Sequence, residues 1–375
     1  MNAFKGLLLH GGLLVLAAVL ALVVWTRSDK PVAEARDQVR VWSGAPGQVQ
    51  RIEFHAERRT VTLVAHKDGH GRWYVATVDR TYQTPKPVEK ESSADAAGDA
   101  GATTSKPGDA GATATKPGDA GAAKPKTPPK PEMVTHHEST KFVSVQAADK
   151  LVKSLAPLMA YRSIGKVDKA DEPDFGLDKP DGTLKVVVGG KTHTLVLGGT
   201  TPGGGDRYAR EKETGLVYAI PGEISRDMMF AESRLVEHDL HGFKPDEVKR
   251  LRVAKGKAHR EFVRIPDKLD AWAEAAAPTK LDETAGNWID KLGKLRVMSF
   301  VDKPAVQPSP SDLVAEVDYE NGSGDKLGRL ELFKLPSTKG EKPGYLARSE
   351  YTRWYVKVLQ SSAEQVDQDL DSILK

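Results

Sequence analysis

Several groups of residues in this sequence have the types and spacing that chemistry requires. Gly190-Lys191-Thr192 has the ending of a phosphate-binding loop, where backbone amides and a lysine cradle a phosphate. That pattern demands a glycine where Lys185 stands, and the segment reads as part of a hairpin instead of a strand-to-helix turn. Nucleotide binding is therefore not expected. Pro202-Gly203-Gly204-Gly205-Asp206 could bring bare backbone against a ligand, because glycine permits close approach. A connection between two hairpins accounts for the same composition. His136-His137 beside Glu138 offers metal donors, yet no further histidine or carboxylate follows at ligand spacing, so the pair reads as a solvated loop.

Arginines form the next group. Arg162, Arg210, Arg296 and Arg348 occupy similar places in two halves of the chain, which makes an anion site conceivable. Strand-edge arginines that pack their stems on neighbours explain the same pattern. No Gly-x-Ser-x-Gly elbow is present, and Asn321-Gly322-Ser323-Gly324-Asp325 has the composition of a hairpin turn. Asp171-Glu172 reads as a surface pair, and Asp282-Glu283 falls where a helix N-terminus favours negative charge. The expectation is no catalytic residue, no metal and no cofactor. Gly203, Gly204, Gly205, Arg210 and Arg348 remain as candidate contacts for a ligand or partner.

The elements that must position these residues follow a repeat. Pro245-Asp246-Glu247-Val248-Lys249-Arg250-Leu251 aligns with Pro46-Gly47-Gln48-Val49-Gln50-Arg51-Ile52, and Trp272 aligns with Trp73. Val248 and Val49, Arg250 and Arg51, and Trp272 and Trp73 are each separated by 199 positions. A constant offset of that size predicts a duplicated unit. In the first unit, Val49–Phe54, Thr60–Val64 and Arg72–Val75 alternate as strands, with Asp68-Gly69-His70-Gly71 as a turn. Gln146–Tyr161 has helical spacing, as Thr284–Leu295 has in the second unit. Strands follow at Leu184–Val188, Thr192–Leu197, Arg207–Arg210 and Leu216–Ile220, with a glycine-rich loop over Gly198–Asp206. The second unit answers with Leu313–Tyr319, Leu327–Phe333, Tyr345–Arg348 and Trp354–Val356. Helical segments at Pro221–Phe230 and Ser362–Leu374 close the units.

Composition bounds the rest. The 375 residues suit two domains, and 55 Lys+Arg against 52 Asp+Glu give +3, which argues against nucleic acid as a partner. Zero cysteines exclude disulfides, thiolate metal sites and a cysteine nucleophile. Gly6–Trp25 is 20 residues broken only by His10, about 30 Å of helix, which predicts an uncut membrane anchor in preference to a cleaved signal peptide. The body would then lie outside the cytoplasm. From residue 84 to 138 the chain turns to Ala, Gly, Pro, Lys and Asp with a period of ten, a composition expected to be disordered. The repeat makes this tract an insertion inside the first unit, with its ends close in space.

At Asp174-Phe175-Gly176-Leu177-Asp178-Lys179-Pro180, Gly190–Leu195 and Arg207-Tyr208-Ala209-Arg210, and again at Phe243–Val248, the chain resembles the bacterial family catalogued as domain of unknown function 4340. The second unit is more divergent and lacks the Gly-Leu-Asp-x-Pro phrase. The resemblance implies one N-terminal membrane span and an association with ABC-type transport systems of the gliding-motility kind. It carries over no catalytic residues. The expected architecture is α+β: a transmembrane anchor (1–30), then two tandem units of mainly antiparallel sheet with packed helices (40–240, with the insertion at 84–138, and 241–375). The expected function is that of a non-enzymatic accessory subunit in the bacterial inner membrane, single-pass, with a periplasmic body. Its partners would be an integral-membrane permease and an ATPase. An envelope-polymer hydrolase and a passive envelope scaffold are the alternatives.

Overall fold

The structure is a computed structural model that describes residues 38–86, 133–266, 268, 270–304, 307–336 and 344–375. The expected anchor and the ten-residue repeats lie outside these residues. No helix among the described residues is long and apolar enough to cross a membrane. The chain divides into two compact units, Met1–Arg80 with Ser139–Lys375, and Thr81–Glu138.

The first half runs β1 (Val39–Trp42), β2 (Val49–Ala56), β3 (Arg59–Asp68), β4 (Gly71–Pro85), β5 (Met133–Ser144), α1 (Gln146–Leu155), β6 (Leu158–Ala160) and β7 (Arg162–Lys166). It continues with β8 (Gly182–Val188), β9 (Lys191–Thr200), β10 (Asp206–Glu211), β11 (Leu216–Pro221), α2 (Gly222–Met229) and α3 (Ala231–Arg234). The second half runs β12 (Arg250–Lys255), β13 (Ala258–Arg264), β14 (Trp272–Glu274), α4 (Glu283–Gly293), β15 (Val297–Val301), β16 (Leu313–Glu320), β17 (Lys326–Lys334), β18 (Tyr345–Ser349), β19 (Tyr355–Val358) and α5 (Gln360–Ile373).

Two large antiparallel sheets result. Their strand orders are β5-β4-β3-β2-β8-β9-β10-β11-β7 and β14-β13-β12-β16-β17-β18-β19-β15. Without β5, the two orders match strand for strand. Register matches as well: Arg51 faces Val64 and Arg250 faces Val263, while Ile52 faces Leu63 and Leu251 faces Phe262, again 199 apart. Later in the sheets, Ala209 pairs with Tyr218 as Ala347 pairs with Val356, both 138 apart. Alternation explains why these strands hold one register. Ile52 and Phe54 on β2, like Leu251 and Val253 on β12, are buried, so a one-residue slip would turn them to water.

Each sheet packs helices over its apolar face. Ala148, Leu151, Val152 and Leu155 of α1 join the first core, and Trp288 and Leu292 of α4 join Val366, Leu370 and Ile373 of α5 in the second. The Trp288 indole donates to the Val366 carbonyl at 2.9 Å, which lets a large polar-tipped ring be fully buried. Phe300 packs on both cores.

Three local expectations change. The helix expected to reach Tyr161 ends at Leu155, because Pro157 disfavours helical backbone before it and removes a donor. Leu158 then enters β6. The expected loop over Gly198–Asp206 is shorter, since β9 continues to Thr200. A Cβ at Gly198 would meet the Phe175 carbonyl oxygen at 2.4 Å, so glycine here serves a backbone crossing within a strand. The insertion is also narrower, as β4 continues to Pro85 and β5 begins at Met133. Within Thr81–Glu138, the Thr81 hydroxyl lies 3.1 Å from His137 Nδ1, and Thr84 Oγ1 lies 2.7 Å from His136 Nε2. The histidine pair therefore sits on a strand, not in a loop, and its two members bond to threonines.

Candidate functional site

The residues expected to contact a ligand do not converge. Gly203 and Gly204 form an exposed turn with φ of 99° and 79°, closed by a bond from the Gly204 amide to the Thr201 carbonyl. Gly205 is exposed beside them, and its carbonyl oxygen lies where a Cβ on Gly222 would fall, at 2.4 Å. Arg210 on β10 donates to Glu172 at 2.8 Å. Arg348 on β18 pairs with Glu331 of the adjacent strand at 2.7 Å and lies 5.0 Å from the centre of the Tyr355 ring. The two arginines thus belong to different sheets and to different carboxylates. Arg162 is exposed, and Arg296 bonds the carbonyls of Gly293 and Leu295.

A cavity of about 1070 Å³ lies elsewhere, beside α4. Its walls are the loop from Asp239 to Pro245, Val248 and Leu251 at the base of β12, the Arg264 and Asp270–Trp272 segment, and α4 from Glu283 to Gly293 with its flanks out to Leu281 and Arg296. A helix of that length spans roughly 16 Å along one wall of the cleft. Asp282 caps the helix by accepting from the Ala285 amide at 2.9 Å.

One wall holds an aromatic and ionisable cluster. The His241 ring stacks on Phe243 with centroids 4.6 Å apart and meets Tyr319 edge-on at 4.6 Å. His241 Nδ1 lies 3.1 Å from Glu350 Oε1. A carboxylate only accepts, so Nδ1 carries the proton, and the buried Nε2 has no partner. Glu350 Oε2 accepts from the Arg329 amide at 2.7 Å. Tyr319 is 7% exposed, and its hydroxyl makes no hydrogen bond among the described residues. Burial, with Glu350 nearby, pushes its pKa up, so it remains a neutral donor or acceptor.

The first half fills the same place differently. Leu251 pairs with Tyr319 as Ile52 pairs with Val186, and Tyr319 pairs with Gly328 as Val186 pairs with His193. His241 is again 199 positions from Trp42. In the first half Trp42 stacks on His193 at 4.7 Å, donates to the Leu155 carbonyl and covers a buried pair in which His193 Nδ1 lies 3.7 Å from Glu211. In the second half histidine takes the tryptophan's position and glycine takes the histidine's. A Cβ on Gly328 would sit 2.5 Å from the Glu350 carboxyl, so the glycine makes room for that side chain. A smaller, polar ring where Trp42 stands is one reason the second half opens into a cleft.

An arginine braces each repeat at the turn that precedes β2 or β12. Arg264 donates to the carbonyls of Val248 and Pro245 at 2.9 and 2.7 Å, with its guanidinium 4.7 Å from the Trp272 ring centre. Arg72 donates to the equivalent carbonyls of Val49 and Pro46 and lies 5.4 Å from Tyr74. Burial holds the Arg264 pKa below the usual arginine range.

The Asp-Phe-Gly-Leu phrase is built as a crossing. Glu172–Phe175 forms a short 3-10 turn ended by Gly176 at φ 62°, where a Cβ would meet the Gly199 amide nitrogen at 2.6 Å. Phe175 packs edge-on against Tyr208 at 4.9 Å, and Arg210 ties the turn to β10 through Glu172. The phrase is therefore structural. Residues 143–315 match the family described as Domain of unknown function (DUF4340). The DUF4340 match begins in β5, takes in this crossing and the cavity's α4 wall, and ends in β16. No curated protein and no solved structure matches the chain.

Sequence reasoning did not single out His241, Tyr319 or Glu350. The inward alternation of Val317 and Tyr319 reads as ordinary core, and Glu350 becomes a partner only through the β17 and β18 pairing. The one available signal was a histidine standing where the repeat offset places Trp42.

Proposed function

We propose that this chain is a membrane-anchored, extracytoplasmic interaction subunit of an ABC-type transport complex, and that the α4 cleft is where it engages its partner. The observation that carries the interaction reading is the cleft itself, bounded by Asp239–Pro245 and Trp272, at the upper end of the volumes that ligand sites occupy. The Gly6–Trp25 span is the ground for the membrane part, and the transporter part rests on what the family resemblance implies. Tagged full-length chain, solubilised from membranes and cross-linked before capture, should bring down a permease and an ATPase. Recovery of the chain alone would sink this reading.

A hydrolase is the second reading, favoured by the His241–Glu350 pair in a cavity wall. A histidine oriented by a carboxylate, with its other nitrogen unpartnered, is the arrangement a general base needs once substrate uncovers that buried nitrogen. Purified chain incubated with isolated envelope polymer would then release soluble fragments, and His241→Ala would abolish the release. Equal release by the variant would rule out His241 as the base.

A further inference from the structure

We infer that the α4 cleft is gated at the joint between the two halves: the segment that links them is also the cleft wall, and a clasp between Asp68 and Arg353 holds that wall in its closed position, with His241 Nε2 buried. The inference concerns the chain's own motion and holds whichever partner the cleft takes.

The segment between α3 and β12 carries no helix or strand, and its Asp239–Pro245 stretch lines the cleft. Hinges are built from such segments. The first half reaches the same wall through Gln146, at the start of α1, which lines the cleft and donates to the Gly242 carbonyl at 3.3 Å. The second half meets it through the turn between β18 and β19. There Glu350 holds His241 at 3.1 Å, and the next residue, Tyr351, packs so closely on Gly242 that a Cβ would lie 2.9 Å from its ring. The Tyr351 hydroxyl donates to Glu237, and the Ser349 hydroxyl donates to the Leu240 carbonyl. The wall therefore follows this turn.

The first half fixes the turn at its far end. Arg353 donates from Nε and Nη2 to the two carboxylate oxygens of Asp68, at 2.8 and 3.2 Å, and its guanidinium lies over the Trp73 ring. Among the described residues it is the one non-glycine residue at positive φ, at 58°. An L side chain disfavours that conformation, which persists only where surrounding contacts over-determine it. Loss of the Asp68 contact leaves the turn free to unwind. The motion reaches the wall because the turn is bonded as a unit: the amides of Tyr351 and Thr352 donate to Ser349 Oγ, and the Ser349 amide donates to Thr352 Oγ1. The Asp68 side chain is 33% exposed, whereas Glu237 is buried, so the clasp is the contact at the joint that solvent and a competing cation can reach. A closed wall keeps His241 Nε2 buried without a partner, and an open one uncovers it.

Diethyl pyrocarbonate acylates an unprotonated imidazole nitrogen, so its rate at His241, read by peptide mass spectrometry on full-length chain in detergent, reports the gate. Exposed His259 on β13 is the internal standard. Asp68→Ala should raise the His241 rate relative to His259 about tenfold, the factor that release of one left-handed residue supplies. Arg353→Lys keeps a cation but loses the two-pronged donor, and should raise the ratio less. Gly198→Ala destabilises the fold away from the joint and should leave the ratio at the parent's value. An unchanged ratio in both clasp variants, or an equal rise in Gly198→Ala, would overturn the inference. Permease capture is a separate readout. Capture with an unchanged ratio fails the gate and keeps the complex, whereas a raised ratio without capture keeps the gate and fails the complex.

Discussion

Replacing Glu237 should loosen the joint between the two halves more than any exposed substitution would. Its carboxylate is 8% exposed and serves three donors. Oε1 accepts from the amides of Val145 and Ala147 at 2.7 and 3.2 Å, at the start of α1, and Oε2 accepts from the Tyr351 hydroxyl at 3.0 Å. It thus caps a helix of the first half and holds a side chain of the second. Loss of a cap costs about 1 kcal/mol, and a buried hydroxyl or amide left unpaired costs about 1–3 kcal/mol. Glu237→Ala should therefore destabilise by about 3 kcal/mol. At this chain size that lowers a thermal midpoint by about 4–5 °C. Glu237→Gln keeps one carbonyl for the amides and can donate to the Tyr351 oxygen, so it should lose only about 1 kcal/mol. Tyr351→Phe should lose a similar amount, and the 237–351 double-mutant cycle should show coupling of about 1 kcal/mol. Urea and thermal unfolding of the full chain provide the measurement. A Gln variant as damaged as Ala, or an Ala variant within about 0.5 kcal/mol of the parent, would refute the reasoning.

Three further outcomes follow from the same contacts. Gly198→Ala forces a Cβ to within 2.4 Å of the Phe175 carbonyl oxygen and should destabilise by about 2 kcal/mol, read by urea midpoint. Trp288→Phe removes the donor to Val366 and leaves a void between α4 and α5, at about 2 kcal/mol by the same measurement. Asp68 is held below the usual aspartate range chiefly by its hydrogen bond from Arg353, which also lies 5.3 Å from the Trp73 ring centre. A lowered carboxyl pKa stabilises the fold above its unfolded value, and that contribution is lost as pH falls through the folded one. Asp68→Asn should accordingly be less stable than the parent at neutral pH, and the gap should close in acid. A gap that persists at low pH would exclude this pair as its source.

Much of the fold was legible in the sequence because periodicity and turn chemistry are local. The 199-residue offset, read from Val49, Arg51 and Trp73, reappears as identical strand register at Arg51–Val64 and Arg250–Val263. Ala209-Arg210 and Ala347-Arg348 likewise fall on equivalent strands. Boundaries were less legible where a tertiary contact overrode composition. Gly198 looks like a loop residue, yet it is a strand residue crossed by Phe175, and the helix after Gln146 gives way to β6 at Leu158.

The candidate site was legible only in part. Composition marked Gly203–Gly205, Arg210 and Arg348, but ligand geometry depends on which groups remain unpaired and open: Glu331 holds Arg348, and Arg210 is tied to Glu172 through Nη1 with its unpartnered Nη2 buried. His241, Tyr319 and Glu350 come from a linker, from β16 and from the end of β18, and only sheet pairing brings them within reach of one another. By itself the sequence determined two antiparallel sheets and the offset between them, because burial of alternating side chains is a near-neighbour matter. Only the tertiary structure decided that a cleft opens beside the second sheet where His241 stands in place of Trp42, because an empty space is a property of side chains that meet across distant strands.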